Sequence, residues 1–344
     1  MMEYAHNMKT VVCVKPGVLE PMEVNKPVPK AGEVLVKIKS IGICGTDIHA
    51  YGGNQPYFQY PRVLGHELSG IIEETGSGVQ ISKGSQVYII PYLNCGECIA
   101  CRNGKPNCCT DIEVLGVHRD GGMCEHICVP ESAVVKTDGL SFNEMAVIEC
   151  LAIGAHAVRR AQITPNDTVL IMGAGPIGLG ALQFSQEAGA KVIVSEVFPE
   201  KRKFCQEQYN VHGAIDALGD VNAQLAELTD GEFPTVIIDC TGNVKAMESA
   251  VYNLAHGGKI VFVSVVKASI TFDDPEFHKR ETTLLGSRNA TLEDFEHVVT
   301  CLKNGKVRIE PIVTHKASFK DLIPSFEEWV KPSSGVIKAV VELD

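Results

Sequence analysis

Nowhere does this chain gather lysine and arginine into a basic cluster. It carries 31 basic against 42 acidic residues, a formal net charge of −11. A phosphate backbone or an anionic bilayer would meet no complementary surface, so neither nucleic acid nor membrane is an expected partner. Long apolar runs are also missing. The longest uncharged stretch, from Thr168 up to Glu187, is interrupted by glycines and a proline and does not read as a spanning helix. Residues 1–8 have neither a basic region nor an apolar run, so they are not read as a signal peptide. No repeat of fixed period and no low-complexity segment occurs. A cytoplasmic protein is the default expectation. Cysteine is the exception to this scarcity. There are 13, an odd number without a secretion signal, so a disulfide framework explains them poorly and metal binding explains them better.

The 344 residues are 45% hydrophobic and 21% charged, ordinary globular composition for two or three domains with a core that needs no covalent staple. Within them Cys95, Cys98 and Cys101 fall at C-x2-C-x2-C spacing, and Cys108 and Cys109 follow. Four thiolates so spaced, in Gly/Asn/Pro-rich filler, suit a closed tetrahedral zinc site that staples a lobe and leaves no position for chemistry. Either Cys108 or Cys109 can be the fourth.

A second group lies earlier. Residues 33–39, Glu-Val-Leu-Val-Lys-Ile-Lys, alternate as a half-buried strand does, and lead to Gly42-Ile-Cys44-Gly-Thr46-Asp-Ile-His49. Cys44 offers a thiolate just past a strand end. His66 and Glu67 follow Gly65 and offer an imidazole and a carboxylate. Neighbouring side chains on a strand point apart, so both can face one metal only if the backbone turns at Gly65; otherwise Glu67 orients a ligand or water. Thr46 and His49 add a hydroxyl and a second imidazole able to move a proton. Residues 46–62 read as a loop, with Tyr51, Asn54, Tyr57 and Phe58 as pocket-wall candidates. Further on, Ser141 and Glu144 form a capping-box pattern opening an apolar helix that contains Glu149. A buried carboxylate needs a partner, either a metal or its water, or else Arg159 or Arg160.

From residue 168 the texture becomes alternating strands and helices, a doubly wound parallel sheet. The strand Thr168-Val-Leu-Ile-Met172 runs into Gly173-Ala-Gly175-Pro176-Ile177-Gly178, and a helix follows. Glycines there permit a tight turn and close approach of a pyrophosphate to a helix N-terminus. Glu196, at the end of the next strand and 18 positions past Gly178, is placed to accept from ribose hydroxyls and to repel a 2′-phosphate, which favours NAD. Lys201 and Arg202 argue the other way, as bases able to hold that phosphate. Thr241 and Val263 are further cofactor candidates. A last strand over 336–341 suggests a return of the chain to its first domain.

With Cys44, His66-Glu67, the four-cysteine loop and the glycine-rich turn in this order, the chain resembles the zinc-dependent medium-chain dehydrogenases of the sorbitol dehydrogenase-like kind, over essentially its whole length. The resemblance implies a GroES-like, β-rich catalytic domain (residues 1–154 and 291–344) interrupted by a Rossmann NAD-binding domain (155–290), with the active site in the cleft between them. It implies two zinc ions per subunit. Cys44, His66 and Glu67, with Glu149, would hold the catalytic one, and Cys95, Cys98, Cys101 and Cys109 the structural one. Glu149 matches the Glu of a Glu-Pro-Leu motif, but Cys150 stands where that motif has proline, and alcohol dehydrogenases use a cysteine ligand in this region. In the implied chemistry the metal acts as a Lewis acid on a hydroxyl, Thr46 takes the proton, His49 passes it on, and hydride goes to nicotinamide.

Arg288 resembles an arginine that reaches cofactor or substrate. Arg288, Asn289, Arg119 and His118 are candidates to clamp a carboxylate. The stretches around residues 38–61 and 274–291 are similar to those of bacterial L-galactonate and L-gulonate 5-dehydrogenases, which implies oxidation of a sugar acid at a secondary alcohol. Polyol and L-threonine 3-dehydrogenases are the alternatives. Family members are commonly homodimers or homotetramers.

Overall fold

The computed structural model describes residues 7–55 and 58–344. Residues 1–6 of the N-terminal segment and the pocket-wall candidate Tyr57 lie outside them. The chain forms two compact units, Met1–Glu149 with Ile309–Asp344, and Cys150–Arg308.

The first unit is built on strand Glu33–Ile43, whose alternating start becomes buried on both faces toward its end. The change of pattern follows from its neighbours. Glu67–Thr75 pairs along one edge, while His126–Pro130 and Lys338–Glu342 share the other. The sheet runs Val134–Lys136, Gln86–Ile89, Glu67–Thr75, Glu33–Ile43, Lys338–Glu342, Val313–Ser318. The C-terminal strand therefore does return, setting Ala339 opposite Ile43 beside Cys44. A smaller sheet of Val18–Asn25, Asn7–Lys15 and Arg62–Val63 completes the β-rich body.

The second unit has six parallel strands in the order Gly213–Asp216, Lys191–Glu196, Thr168–Met172, Val236–Asp239, Lys259–Phe262, Thr283–Gly286. The order reverses on either side of Thr168–Met172, the place where doubly wound sheets open a crevice for ligands. The strand itself is nearly all apolar and buried, as a strand covered on both faces must be.

Two expectations need correction. Residues 46–62 read as loop, but Gly45–Tyr51 is a helix. The Asp47 carboxylate nucleates it by accepting from the Cys44 N–H at 2.9 Å, a local cap that outweighs the glycines around it. The second domain crossing, expected at 291, lies at Ile309, and the first lies at Cys150 rather than 155. Helix Leu292–Lys303 stays with the second unit because Asp294 binds Arg159 Nε at 2.6 Å and His156 Nδ1 at 2.8 Å. Gln183 then holds both the N–H and the carbonyl of Arg308. Among the described residues no helix is long and apolar enough to cross a membrane.

Candidate active site

Gly65 has φ +92°, the left-handed turn that brings two successive side chains to one place. Beyond it Glu67 opens its strand, and the ligand atoms of Cys44, His66 and Glu67 all lie within 4.8 Å of one another. His66 and Glu67 are buried. Gly42, paired with Glu67 across the sheet, makes room: a Cβ there would fall 2.0 Å from Glu67 Oε2. Glu67 Oε1 accepts from Lys338 Nζ at 2.6 Å, and the same ammonium donates to the Ile43 carbonyl at 3.0 Å. Both residues of this ion pair are almost wholly buried, Lys338 at 1% and Glu67 at 0% exposure. Asp47 lies beneath the group. Its Oδ1 accepts from the Gly65 N–H at 3.1 Å and sits 3.7 Å from His66 Nδ1.

Two buried atoms of the cluster, His66 Nδ1 and Glu67 Oε2, have no hydrogen-bond partner among the described residues. Orphaned buried acceptors are costly unless something fills the site. Burial opposes a charge on His66, but the neighbouring Cys44 and Asp47 side chains outweigh it and lift the imidazole well above its ordinary value. The same field favours a divalent cation. One sulfur, one nitrogen and one oxygen donor form a set zinc accepts, with a fourth position left open. The residues fit the metal.

Glu149 does not join this group. Its carboxylate accepts from the Tyr92 hydroxyl, and burial raises its pKa against the opposing pull of His66. Tyr92 is pushed well up by burial and by Glu149, so it stays a neutral donor. Cys150 is buried and also outside the group. Thr46 and His49 stand three residues apart on Gly45–Tyr51, on one face of the helix, with His49 exposed. Two pocket-wall candidates pack inward instead: the Tyr51 ring meets Phe326 at 5.3 Å and Phe58 meets Tyr60 at 4.7 Å.

Cys95, Cys98, Cys101 and Cys109 form a second group within 4.8 Å, while Cys108 is exposed and outside it. The Cys98–Cys101 and Cys95–Cys109 sulfurs are each 3.5 Å apart. That is far beyond a disulfide and near the ~3.8 Å edge of a tetrahedron with Zn–S bonds of about 2.3 Å. Backbone N–H groups of Cys101 and Thr110 lower the Cys98 thiol to about 5, ready to serve as a thiolate.

In the second unit Gly173 has φ +93°, and a Cβ on Gly178 would meet the Gly173 carbonyl at 1.9 Å. Gly175 caps helix Pro176–Glu187 without any side-chain bond, leaving its first N–H groups to a phosphate. Glu196 is more engaged than expected. Oε2 accepts from Ala174 N at 2.8 Å, and Oε1 from Val197 N at 2.8 Å and Phe198 N at 3.1 Å. Arg202 is tied to the Glu196 and Val197 carbonyls and to Asp216, and Lys201 lies over the Phe198 ring. Thr241, exposed, donates to Asp239 Oδ1 at 2.6 Å, and Val263 N–H donates to the Asp239 carbonyl at 3.1 Å. Arg288 is exposed just past the edge strand.

Residues 30–139 match the alcohol dehydrogenase GroES-like domain family and residues 176–304 the zinc-binding dehydrogenase family. The chain is a zinc-type medium-chain dehydrogenase. It is 44% identical over 97% of its length, and 98% of the relative's, to an L-galactonate-5-dehydrogenase of Escherichia coli. It superposes with TM-score 0.92 and 33% identity, over 98% and 99% of the two chains, on a crystal structure of a short chain alcohol dehydrogenase (rspB) of Escherichia coli complexed with NADH. Galactitol-1-phosphate dehydrogenase of Escherichia coli gives 0.91 and 28% over 97% and 100%. Other relatives are named for 2-dehydro-3-deoxy-L-galactonate, L-idonate and L-threonine.

Three residues of this dehydrogenase's site were not legible as such. Asp47 sits inside the quoted motif, yet only the structure shows it joining Cys44, Gly65 and His66. Tyr92 and Lys338 have no local signal at all. Lys338 reads as one more charge in a strand; its burial beside Glu67, 271 residues away, is a tertiary fact.

Proposed function

We propose that the chain oxidises the C5 secondary alcohol of a sugar acid, L-galactonate or L-gulonate, to the ketone with NAD. The observation that carries the reading is the Cys44–His66–Glu67 donor group, half-buried at Cys44 and buried at the other two, whose cap residue Cys44 opens the helix bearing Thr46 and His49. The 44% identity to a relative named for L-galactonate supports the substrate class.

Cys44, His66 and Glu67 would hold the catalytic zinc, with Glu149 and Tyr92 beside them. When bound, the metal supplies a Lewis acid that lowers the pKa of a substrate hydroxyl and steadies the developing negative charge. Thr46 accepts the hydroxyl proton, and His49 passes it toward solvent. When bound, NAD would supply the hydride acceptor, so that loss of the C–H electron pair would leave the alcohol carbon as a carbonyl. Lys338 positions Glu67 by engaging one of its oxygens and leaving the other for the metal. Cys95, Cys98, Cys101 and Cys109 would hold a second, structural zinc.

Gly173, Gly175, Pro176, Ile177 and Gly178 would cradle the pyrophosphate, and Thr241, Val263 and Arg288 would be further cofactor contacts. Three of the four acceptor positions of Glu196 are taken by backbone, so one remains for a ribose hydroxyl. Arg202, held by strand-end carbonyls, is not disposed to receive a 2′-phosphate; both facts support NAD.

A rate screen with NAD and NADP on L-galactonate, L-gulonate, L-idonate, sorbitol, galactitol and L-threonine tests this. A hexonate should exceed its alditol by a large factor in kcat/KM, with NAD preferred. Equal rates on acid and alditol, or activity on threonine alone, reject the sugar-acid assignment.

A further inference from the structure

A third group of metal-ligating side chains lies in the second unit and has no part in the chemistry above. Helix Leu292–Lys303 carries His297 and Cys301 four residues apart, one turn along the same face. Glu187, the last residue of helix Pro176–Glu187, faces them, and the three ligand atoms lie within 4.8 Å of one another. His297 Nε2 is 3.5 Å from Glu187 Oε2 and 3.7 Å from Cys301 Sγ. Bonds of about 2.0–2.1 Å to nitrogen and oxygen and about 2.3 Å to sulfur give tetrahedral edges of about 3.4 Å (N···O) and 3.6 Å (N···S). The separations found are within a tenth of an ångström or so of those edges; Cys301 Sγ is also 3.9 Å from Nδ1, so it lies over the ring, and the half-exposed imidazole turns to aim Nε2 at the ion.

We propose that Glu187, His297 and Cys301 form a third zinc site, distinct from the two that the dehydrogenase chemistry and the cysteine loop require. One imidazole, one thiolate and one carboxylate select a borderline-soft divalent ion such as zinc over magnesium or calcium. His297 is 46% exposed, so an ion can enter from solvent, while Cys301 at 2% forms the floor. Glu187 is divided usefully. Its Oε1 binds Lys306 Nζ at 2.8 Å, and Oε2 remains turned toward His297. Lys306 is exposed and can swing aside as the cation arrives, and the Cys301 proton leaves to solvent on binding. The ion would tie the far end of the helix that opens at the glycine-rich turn to helix Leu292–Lys303, stabilising the second unit.

The test is equilibrium dialysis of the intact, zinc-replete protein against micromolar free zinc, with metal counted per chain in wild type, His297→Gln and Cys301→Ser. His297 is half exposed, so its variant keeps the fold even if the buried Cys301→Ser does not. Wild type should hold one zinc ion more than either variant. Equal counts overturn the proposal. The difference ignores the other two sites, so it fails or stands apart from the proposed function. As a second readout, zinc should slow alkylation of Cys301, followed by peptide mass spectrometry, several-fold in wild type and not in His297→Gln. An identical rate in both, with and without zinc, contradicts it.

Discussion

Replacing Lys338 by methionine keeps the volume of the side chain and removes its charge. Glu67 is then left fully buried, with no cation on Oε1. Removing one partner of a buried ion pair costs about 3–5 kcal/mol, because the remaining charge has lost its compensation. At about 2–4 °C per kcal/mol for a unit of this size, the melting temperature should fall by about 6–20 °C. Lys338→Arg restores a cation and should recover part of the loss, short of wild type because the larger head must fit a site with 1% exposure. The assay is thermal unfolding by circular dichroism, with zinc content matched between variants. A Lys338→Met protein that melts within about 2 °C of wild type would refute the reasoning, since the pair would then contribute less than about 1 kcal/mol.

Gly42→Ala should displace the Glu67 carboxylate, since the new Cβ falls 2.0 Å from Oε2; activity should drop at least tenfold with the fold retained, and an unchanged kcat/KM says that Glu67 is not where the chemistry needs it. Thr46→Ala should lower kcat/KM by about 10²-fold or more, the usual worth of a positioned acid–base group, while Thr46→Ser keeps most of it; equal losses in both would make Thr46 a packing residue only. Asp294 is held well below the usual carboxylate range. Burial raises its pKa, but hydrogen bonds from His156 and Arg159 outweigh that. Its contribution is therefore fully present above the ordinary carboxylate pKa and is lost as pH falls toward the depressed value. Asp294→Asn should cost most stability at pH 7, and the cost should shrink progressively as pH falls below the ordinary carboxylate value of about 3.9 in chemical denaturation; a difference that stays constant down to the lowest pH at which the protein folds rules out the linkage.

What could be read before folding was whatever the chain declares locally. The Cys95–Cys98–Cys101 spacing and the Gly173–Gly178 turn carry their chemistry in a few consecutive residues, and the structure brings each set together. The turn at Gly65 was legible for the same reason, since glycine takes a φ of +92° without strain before two adjacent ligands. Glu149 was read as a carboxylate in an apolar helix answered by a metal or an arginine; that the Tyr92 hydroxyl answers it depends on packing. Asp47 folded a predicted loop into a helix through a single side-chain cap, a local effect hidden by the glycines around it. The domain crossing moved from 291 to 309 because Asp294 pairs with residues more than 130 positions away, which periodicity cannot register.

The claim at the centre of this account is that the Cys44–His66–Glu67 group is the catalytic metal site. Cys44→Ser tests it most directly, with zinc per chain and kcat/KM measured on the same preparation. The account predicts loss of one zinc ion and of nearly all activity in a protein that still unfolds cooperatively, its four-cysteine loop intact. A Cys44→Ser protein that keeps wild-type activity, or that loses activity while holding its full zinc complement, contradicts it.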